Sequence, residues 1–353
     1  MEVKQKSFGL GNQSNVPMDT IPFKEVTETK NLPKAIGKGV LINFSGWVMA
    51  TFGAGVATMK PGGILKNLLT EIQIKDYKGD LVVTTVGQAR FHSRRVNGKE
   101  APSLYMQNSQ TLDTPVVGLY SGNFTTAQAV AVQESIYIPF ECELAEANFL
   151  DTLLYYNGKN ENVIKLVLQK LSSLLDPAST ATPVWTHDLK FDVNLVTTEH
   201  SGQSHRWVRG YKEELVSSAT AKKTIDISQT ENLMGVMFEI TKTQASGIRT
   251  PISFAEAQKI TINIIGKKNG VTTVIRQDES LASLAYNDLN KKKIDSLVDG
   301  YSYANLINGN LLDSALRNDY TELLVNFSFP STLNYAVPFN ARVYIDDLDR
   351  SDM

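Results

Sequence analysis

The chain has one cysteine, Cys142, in 353 residues. An intrachain disulfide and a cysteine zinc site are both excluded, and the composition fits synthesis in a reducing cytoplasm. Histidine is nearly as scarce, with four residues, and only His200 and His205, beside Glu199 in EHSGQSH, lie close together. A metal shell needs three or four ligands, and neither HExxH nor an alternate-position histidine pair occurs, so no metal or other cofactor is expected. An excess of one charge is missing too. Lys and Arg total 35 against 37 Asp and Glu, a net charge of -2, which gives no global pull toward nucleic acid, and no specific nucleic-acid binding is expected. Aromatics make up 8% of the chain, with Tyr155-Tyr156 and Tyr301/Tyr303 as the local clusters. Long apolar runs are absent: the longest bland stretch, residues 46–57, is well short of the roughly 20 residues of a spanning helix. The first 16 residues hold no signal-peptide core, so the expectation is a protein neither exported by that route nor membrane-spanning.

Catalytic signatures are also missing. Gly53 and Gly55 sit in a GAG that invites a nucleotide-binding reading, but Lys60 is followed by Pro61 rather than Ser or Thr, and Thr58 stands where a dinucleotide fingerprint needs glycine. A connecting loop is the reading. No G-x-S-x-G elbow occurs. Carboxylates crowd at Glu141, Glu143 and Glu146 and at Asp346, Asp347 and Asp349, groups that more often face solvent. Arg90, His92, Arg94, Arg95 and Lys99 form the most basic stretch, yet only Phe91 interleaves it where base stacking wants several rings. A solvated loop or a subunit contact is expected there. The Asn-x-Ser/Thr matches at Asn43, Asn123 and Asn326 fall mostly in strands and are discounted as glycan acceptors. No catalytic, cofactor-binding or metal residue is therefore assigned, and no enzyme is expected.

What the chain does have is strand periodicity. The organising stretch is 130–169. Val130, Val132, Ile136 and Ile138 alternate with Gln133, Ser135 and Tyr137, Glu134 breaks the apolar row, and Pro139 ends the strand. Helical spacing over 144–154 and a β-branched run from Val163 complete a strand, short helix, strand unit. Residues 40–52 are apolar on both faces, Ile42, Phe44 and Val48 against Leu41, Trp47 and Met49, which predicts cover on both sides. Residues 71–86 read as a hairpin turning at Lys78-Gly79, and 103–129 as long polar loops with one short strand near Val116 to Tyr120. Residues 185–197 read as one strand by the alternation of Leu189, Phe191, Val193 and Leu195.

The second half repeats the first. A hairpin at 259–277 turns at Lys-Asn-Gly, and strands are expected at 224–227, 235–241, 320–329 and 341–348. Ile260 follows Ile72 by 188 positions, and Glu322 follows Glu134 by the same 188, which favours a duplicated sandwich. Residues 281–303 break the pattern as an amphipathic surface helix.

The order IYIPF, an acidic helical crossover ending in NGKNEN, then IKLVLQ resembles the middle of the first sandwich in double jelly-roll major capsid proteins of icosahedral, internal-membrane-containing bacterial and archaeal viruses. The resemblance covers 40–347 loosely. It implies an all-β fold of two side-by-side eight-stranded jelly-roll β-sandwiches with short crossover helices. Residues 1–39, with Pro17, Pro22 and Pro33 and little apolar periodicity, read as an extended N-terminal arm that orders against a neighbouring subunit or the inner shell, or as a floppy terminus. The expected limits are 1–39 for the arm, 40–205 and 206–347 for the rolls, and 348–353 for a tail. It also implies a virion shell protein made in the host cytoplasm that forms homotrimers and a capsid lattice and meets penton or minor capsid proteins. The arm, with Lys4 and Lys6, is the candidate contact to internal membrane lipids. The competing readings are a carbohydrate-binding or carbohydrate-active jelly roll and a virion spike or receptor-binding protein.

Overall fold

The computed structural model describes residues 4–9, 26–31, 37–76, 78–97, 103–107, 114–140, 163–197, 206–216, 222–244, 249–292, 300–306, 316–317, 320–333 and 338–349. They divide into two compact units, one holding the described residues up to 197 and the other those from 206.

In the first unit, Gly37–Thr51 pairs on one side with Lys190–Thr197, which pairs in turn with Lys4–Gly9, and on the other side with Gln128–Pro139. The facing sheet runs Gly79–Thr84, Leu69–Asp76, Val163–Leu168, Val26–Asn31. Counting these eight strands along the chain, the sheets read 1-8-3-6 and 2-7-4-5, the jelly-roll order of two interlocked Greek keys. The second unit repeats it. Arg206–Val216, Phe339–Asp349, Asn232–Thr243 and Tyr301–Asn305 make one sheet. Lys222–Asp226, Glu322–Ser328, Thr261–Lys268 and Val271–Ser280 make the other. The strand order is again 1-8-3-6 and 2-7-4-5, so the expected all-β, two-roll fold is the one observed.

Alternation decides which side chains enter each core. Val40, Ile42, Phe44, Val48 and Ala50 are buried, while Leu41, Trp47 and Met49 on the other face of Gly37–Thr51 are only half-buried. In the second unit Val236, Phe238 and Ile240 face Ile262, Ile264 and Phe327 in one apolar core.

Both predicted hairpins form, and each runs straight into a helix: Val86–Asn97 after the first and Leu281–Lys292 after the second. A short helix precedes each, Gly63–Leu68 and Phe254–Ala257. This repeated block of helix, hairpin and helix is the clearest trace of duplication.

Several expectations need correction. The stretch expected as an arm contributes the first and second strands of the first roll, because backbone pairing at a sheet edge needs little apolar periodicity. The basic stretch from Gly87 is a helix rather than a loop, with Arg90, His92 and Ser93 buried. Residues 185–197 form two strands, Val184–His187 and Lys190–Thr197, separated where the Asp188 amide donates to the Trp47 carbonyl. Tyr301–Asn305 is a strand, so the expected helix stops short of Tyr303. The offset of 188 matches equivalent hairpins, but Glu134 lies on a sixth strand and Glu322 on a seventh, so that second coincidence is not structural. Among the described residues the polar stretch 103–129 holds, besides the expected short strand, at Val116–Val117, two more, Leu104–Gln107 and Asn123–Phe124. The helix expected over 144–154, the cluster at His200 and His205, and Glu141, Glu143 and Glu146 lie outside the described residues.

Candidate functional site: two buried ionic networks

In the first unit the acid that breaks the apolar row is the centre of a clasp. Glu134 is 1% exposed and faces the roll interior from the sixth strand. One carboxylate oxygen, Oε2, accepts from Arg90 Nη2 of Val86–Asn97 at 2.7 Å. The other, Oε1, accepts from the backbone amides of Ile64 and Leu65, at 2.9 and 3.4 Å, in the first turn of Gly63–Leu68. Arg90 Nη1 donates to the Gly62 carbonyl at 3.2 Å. One carboxylate thus holds two helices to a strand, and it serves helix-end amides that have no intrahelical acceptor. Gly63 sits at φ 86 with its missing Cβ position 2.9 Å from the carboxylate, so a side chain there would be strained and would crowd the clasp.

The second unit carries a ladder across its 1-8-3-6 sheet. Register sets Glu213 opposite Arg342, Arg342 opposite Glu239, and Glu239 opposite Tyr301, one residue from each of four neighbouring strands. Arg342 donates from Nη2 to Glu213 Oε2 at 2.7 Å and from Nη1 to Glu239 Oε2 at 3.1 Å. Tyr301 donates to Glu239 Oε1 at 2.7 Å, the Tyr344 hydroxyl donates to Oε2, and Arg249 pairs with Glu213. Burial works against ionising Glu213, but the Arg342 hydrogen bond and the two guanidinium charges outweigh it and hold its pKa below the usual carboxylate value. Burial would lower the Arg342 pKa, yet Tyr344 and Glu239 raise it overall. Burial, then the Glu239 charge, pushes the Tyr301 hydroxyl well above its ordinary range.

Two residues along each strand, Tyr211, Tyr344, Met237 and Tyr303 form the next rung, and Arg209, Asp346 and Gly235 the one after. Tyr303 reaches past Gly235 to donate to Asp346 Oδ2 at 2.7 Å. A Cβ on Gly235 would lie 1.9 Å from the Tyr303 oxygen. Gly235→Ala is therefore expected to displace Tyr303 from Asp346 and destabilise the unit by about 1–3 kcal/mol, the usual cost of overpacking, read as a lower urea midpoint. An unchanged midpoint would show that the tyrosine does not depend on that gap.

Each carboxylate of the acidic cluster at Asp346, Asp347 and Asp349 has a partner. Asp347 accepts from the Glu231 and Asn232 amides at 2.8 and 2.6 Å, and Asp349 pairs with Arg206 at 2.6 Å. Burial raises the Asp347 pKa despite those bonds. Among the described residues no group of three or more His, Cys, Asp or Glu is arranged to hold a metal, and no helix is long and apolar enough to cross a membrane. Tyr105, Tyr120, Phe124 and Trp185, scattered in sequence, gather with ring centroids 5.2–5.6 Å apart. Tyr120, Phe124 and Trp185 are buried, so these rings fill the core rather than offer a stacking platform; burial pushes the Tyr120 pKa up to about 12. Tyr301 and Tyr303, the other aromatic pair singled out, belong to the ladder.

Both networks bind strands to strands and helices to strands. A one-residue slip of Phe339–Asp349 would turn Arg342 toward the apolar core, so the ladder fixes register where alternating strands otherwise look alike. The ladder, unlike the break at Glu134, is absent from the sequence expectations, although Glu239 within VMFEIT and Arg342 within NARVYI carry the same signal of a charge inside a strand pattern.

The arrangement defines a class: a chain of two jelly rolls braced by internal ion pairs. No protein-family model and no curated protein matches the sequence. Solved structures do. The chain is similar to the atomic structure of Sulfolobus Turreted Icosahedral Virus, with a TM-score of 0.62 and 8% identity over 98% of this chain and 90% of that one. It is similar to the major capsid protein of bacteriophage PM2, with a TM-score of 0.55 and 9% identity over 99% and 100%. The PBCV-1 virus capsid gives 0.56 and 10% over 98% and 94%. At such identities the likeness is one of fold, and the shared fold is the double jelly roll.

Proposed function

We propose that this chain is the major capsid protein of an icosahedral virus, a structural brick rather than a catalyst. The observation that carries the reading is the use of one strand order twice in a chain whose whole length superposes on viral shell proteins. Two similar rolls per chain, tripled about a threefold axis, supply six near-equivalent blocks, and six such blocks tile a shell as a pseudo-hexagon. The half-buried apolar side chains Leu41, Trp47 and Met49 on the outer face of Gly37–Thr51 support self-association, since a two-sided apolar strand is stable when both sides are covered. The other contacts assigned to this role are penton or minor capsid proteins and, through the N-terminal segment bearing Lys4 and Lys6, the anionic head groups of an internal membrane.

Light scattering of the purified chain at micromolar concentration is expected to give three copies per particle, and negative-stain images a hexagonal outline. A monomer without such particles would overturn the reading.

A further inference from the structure

The 2-7-4-5 sheet of the second unit has two unlike edges. One is Lys222–Asp226, a short strand bearing Lys222, Lys223 and Asp226, which are among the features that keep a sheet edge from recruiting another strand. The other is Val271–Ser280, ten residues long. Its charged residues and irregularity are confined to one half: Arg276, Asp278 at φ 48, and Glu279. The half next to the turn, 271–275, reads V-T-T-V-I, five successive β-branched residues with no charge and no proline. It pairs regularly with Thr261–Lys268, from Ile265 opposite Val274 to Lys268 opposite Val271, and the register shifts lie beyond Ile265. Val271 is 66% exposed and Val274 49%, and Thr272 and Thr273 are exposed between them. Among the described residues this strand ends the sheet. A regular, uncharged, β-branched edge facing solvent is a template for strand addition.

The first roll shows how the fold treats the same strand. Its fifth strand is Gly79–Thr84, and with the turn-closing pairs Asp76–Gly79 and Lys268–Val271 matched, Thr273 and Val274 correspond in chain order to Leu81 and Val82, which are 3% and 0% exposed. One roll of the chain buries this position and the other leaves it open.

We propose that residues 271–275 are the edge at which a second copy of this chain adds a strand. The inference rests on the assembly reading above and names the surface that carries it. A brick made of two equivalent rolls covers the open edge of one roll by repeating the contact around a ring, and a contact between unlike surfaces closes into a ring when its rotation divides the circle. A second copy is the occupant that carries such a repeat.

The test is the double variant Thr272→Lys, Val274→Lys in the full chain. Both positions are exposed, so melting is expected to stay near the wild-type value. Association is expected to weaken at least about tenfold, because burying an unpaired ammonium costs more than the 1.4 kcal/mol that a factor of ten represents. A variant that assembles at the wild-type concentration overturns this inference and leaves the capsid reading standing; a wild-type chain that stays monomeric overturns both. Hydrogen exchange on the wild type removes any dependence on how the variant folds. Amides in 271–275 are expected to be protected in the assembled protein and to exchange freely on dilution to monomer, and equal exchange in both states overturns the proposal.

Discussion

Glu134→Ala is expected to destabilise the first unit by about 3–5 kcal/mol, the range for removing one partner of a buried ion pair. Three losses coincide. Arg90, its side chain 9% exposed, keeps its charge without a counter-ion. The Ile64 and Leu65 amides lose their acceptor. A gap opens in the interior face of the sixth strand, between Val132 and Ile136. In a unit of this size the melting midpoint should fall by roughly 10 °C in calorimetry. Replacing both charges, Arg90→Met with Glu134→Leu, should recover part of the loss, since an apolar pair of similar volume removes the uncompensated charge. Recovery stays incomplete because the two helix amides still lack an acceptor. A single variant melting within about 2 °C of the wild type would mean that water reaches Arg90 and that the clasp is dispensable.

Arg342→Met should cost the second unit about as much at neutral pH, again about 3–5 kcal/mol, because Glu213 and Glu239 then face each other across the central strand without the guanidinium between them. Here pH separates charge from packing. In the wild type Glu213 has a lowered pKa, so its contribution to stability is present above the unfolded-state value, about 4.3, and is lost as pH falls through the lower folded value. Removing Arg342 takes away the largest cause of that lowering and leaves burial, which acts in the opposite sense, opposed by Arg249 alone. The folded-state pKa of Glu213 then rises, and its protonation relieves the variant as the solution is acidified. The gap between wild type and variant should therefore narrow from pH 7 to pH 4 in urea titrations. A gap of constant size would assign the loss to packing alone.

Much of the architecture is legible along the chain because strand alternation is a local property. Val130 to Ile138, the hairpin turning at Lys78-Gly79 and the one turning at Asn269-Gly270 are written in neighbouring residues, and they fold as read. The helix Val86–Asn97 is not legible along the chain, for a physical reason. Its run QARFHSRR looks solvated, and only the arrival of Glu134, 44 residues away, makes it favourable to bury Arg90. The two N-terminal strands are hidden for another. Lys4–Gly9 and Val26–Asn31 are strands by virtue of the partners they meet, Lys190–Thr197 and Val163–Leu168, and those lie more than a hundred residues away. Charged residues inside strands, Glu134, Glu239 and Arg342, were visible as interruptions, but their partners come from other strands and other helices.

By itself the sequence determined an all-β chain with a repeated hairpin, a nearly neutral surface and no thiol, histidine or glycine-loop motif on which to build chemistry. Only the tertiary structure decided that the repeat is two jelly rolls of one strand order, which acids are clasped, and which edge is left open. The reason is that alternation fixes the faces of a strand from its own residues, whereas register, strand order and ion pairing depend on segments that meet only after the chain has closed long loops.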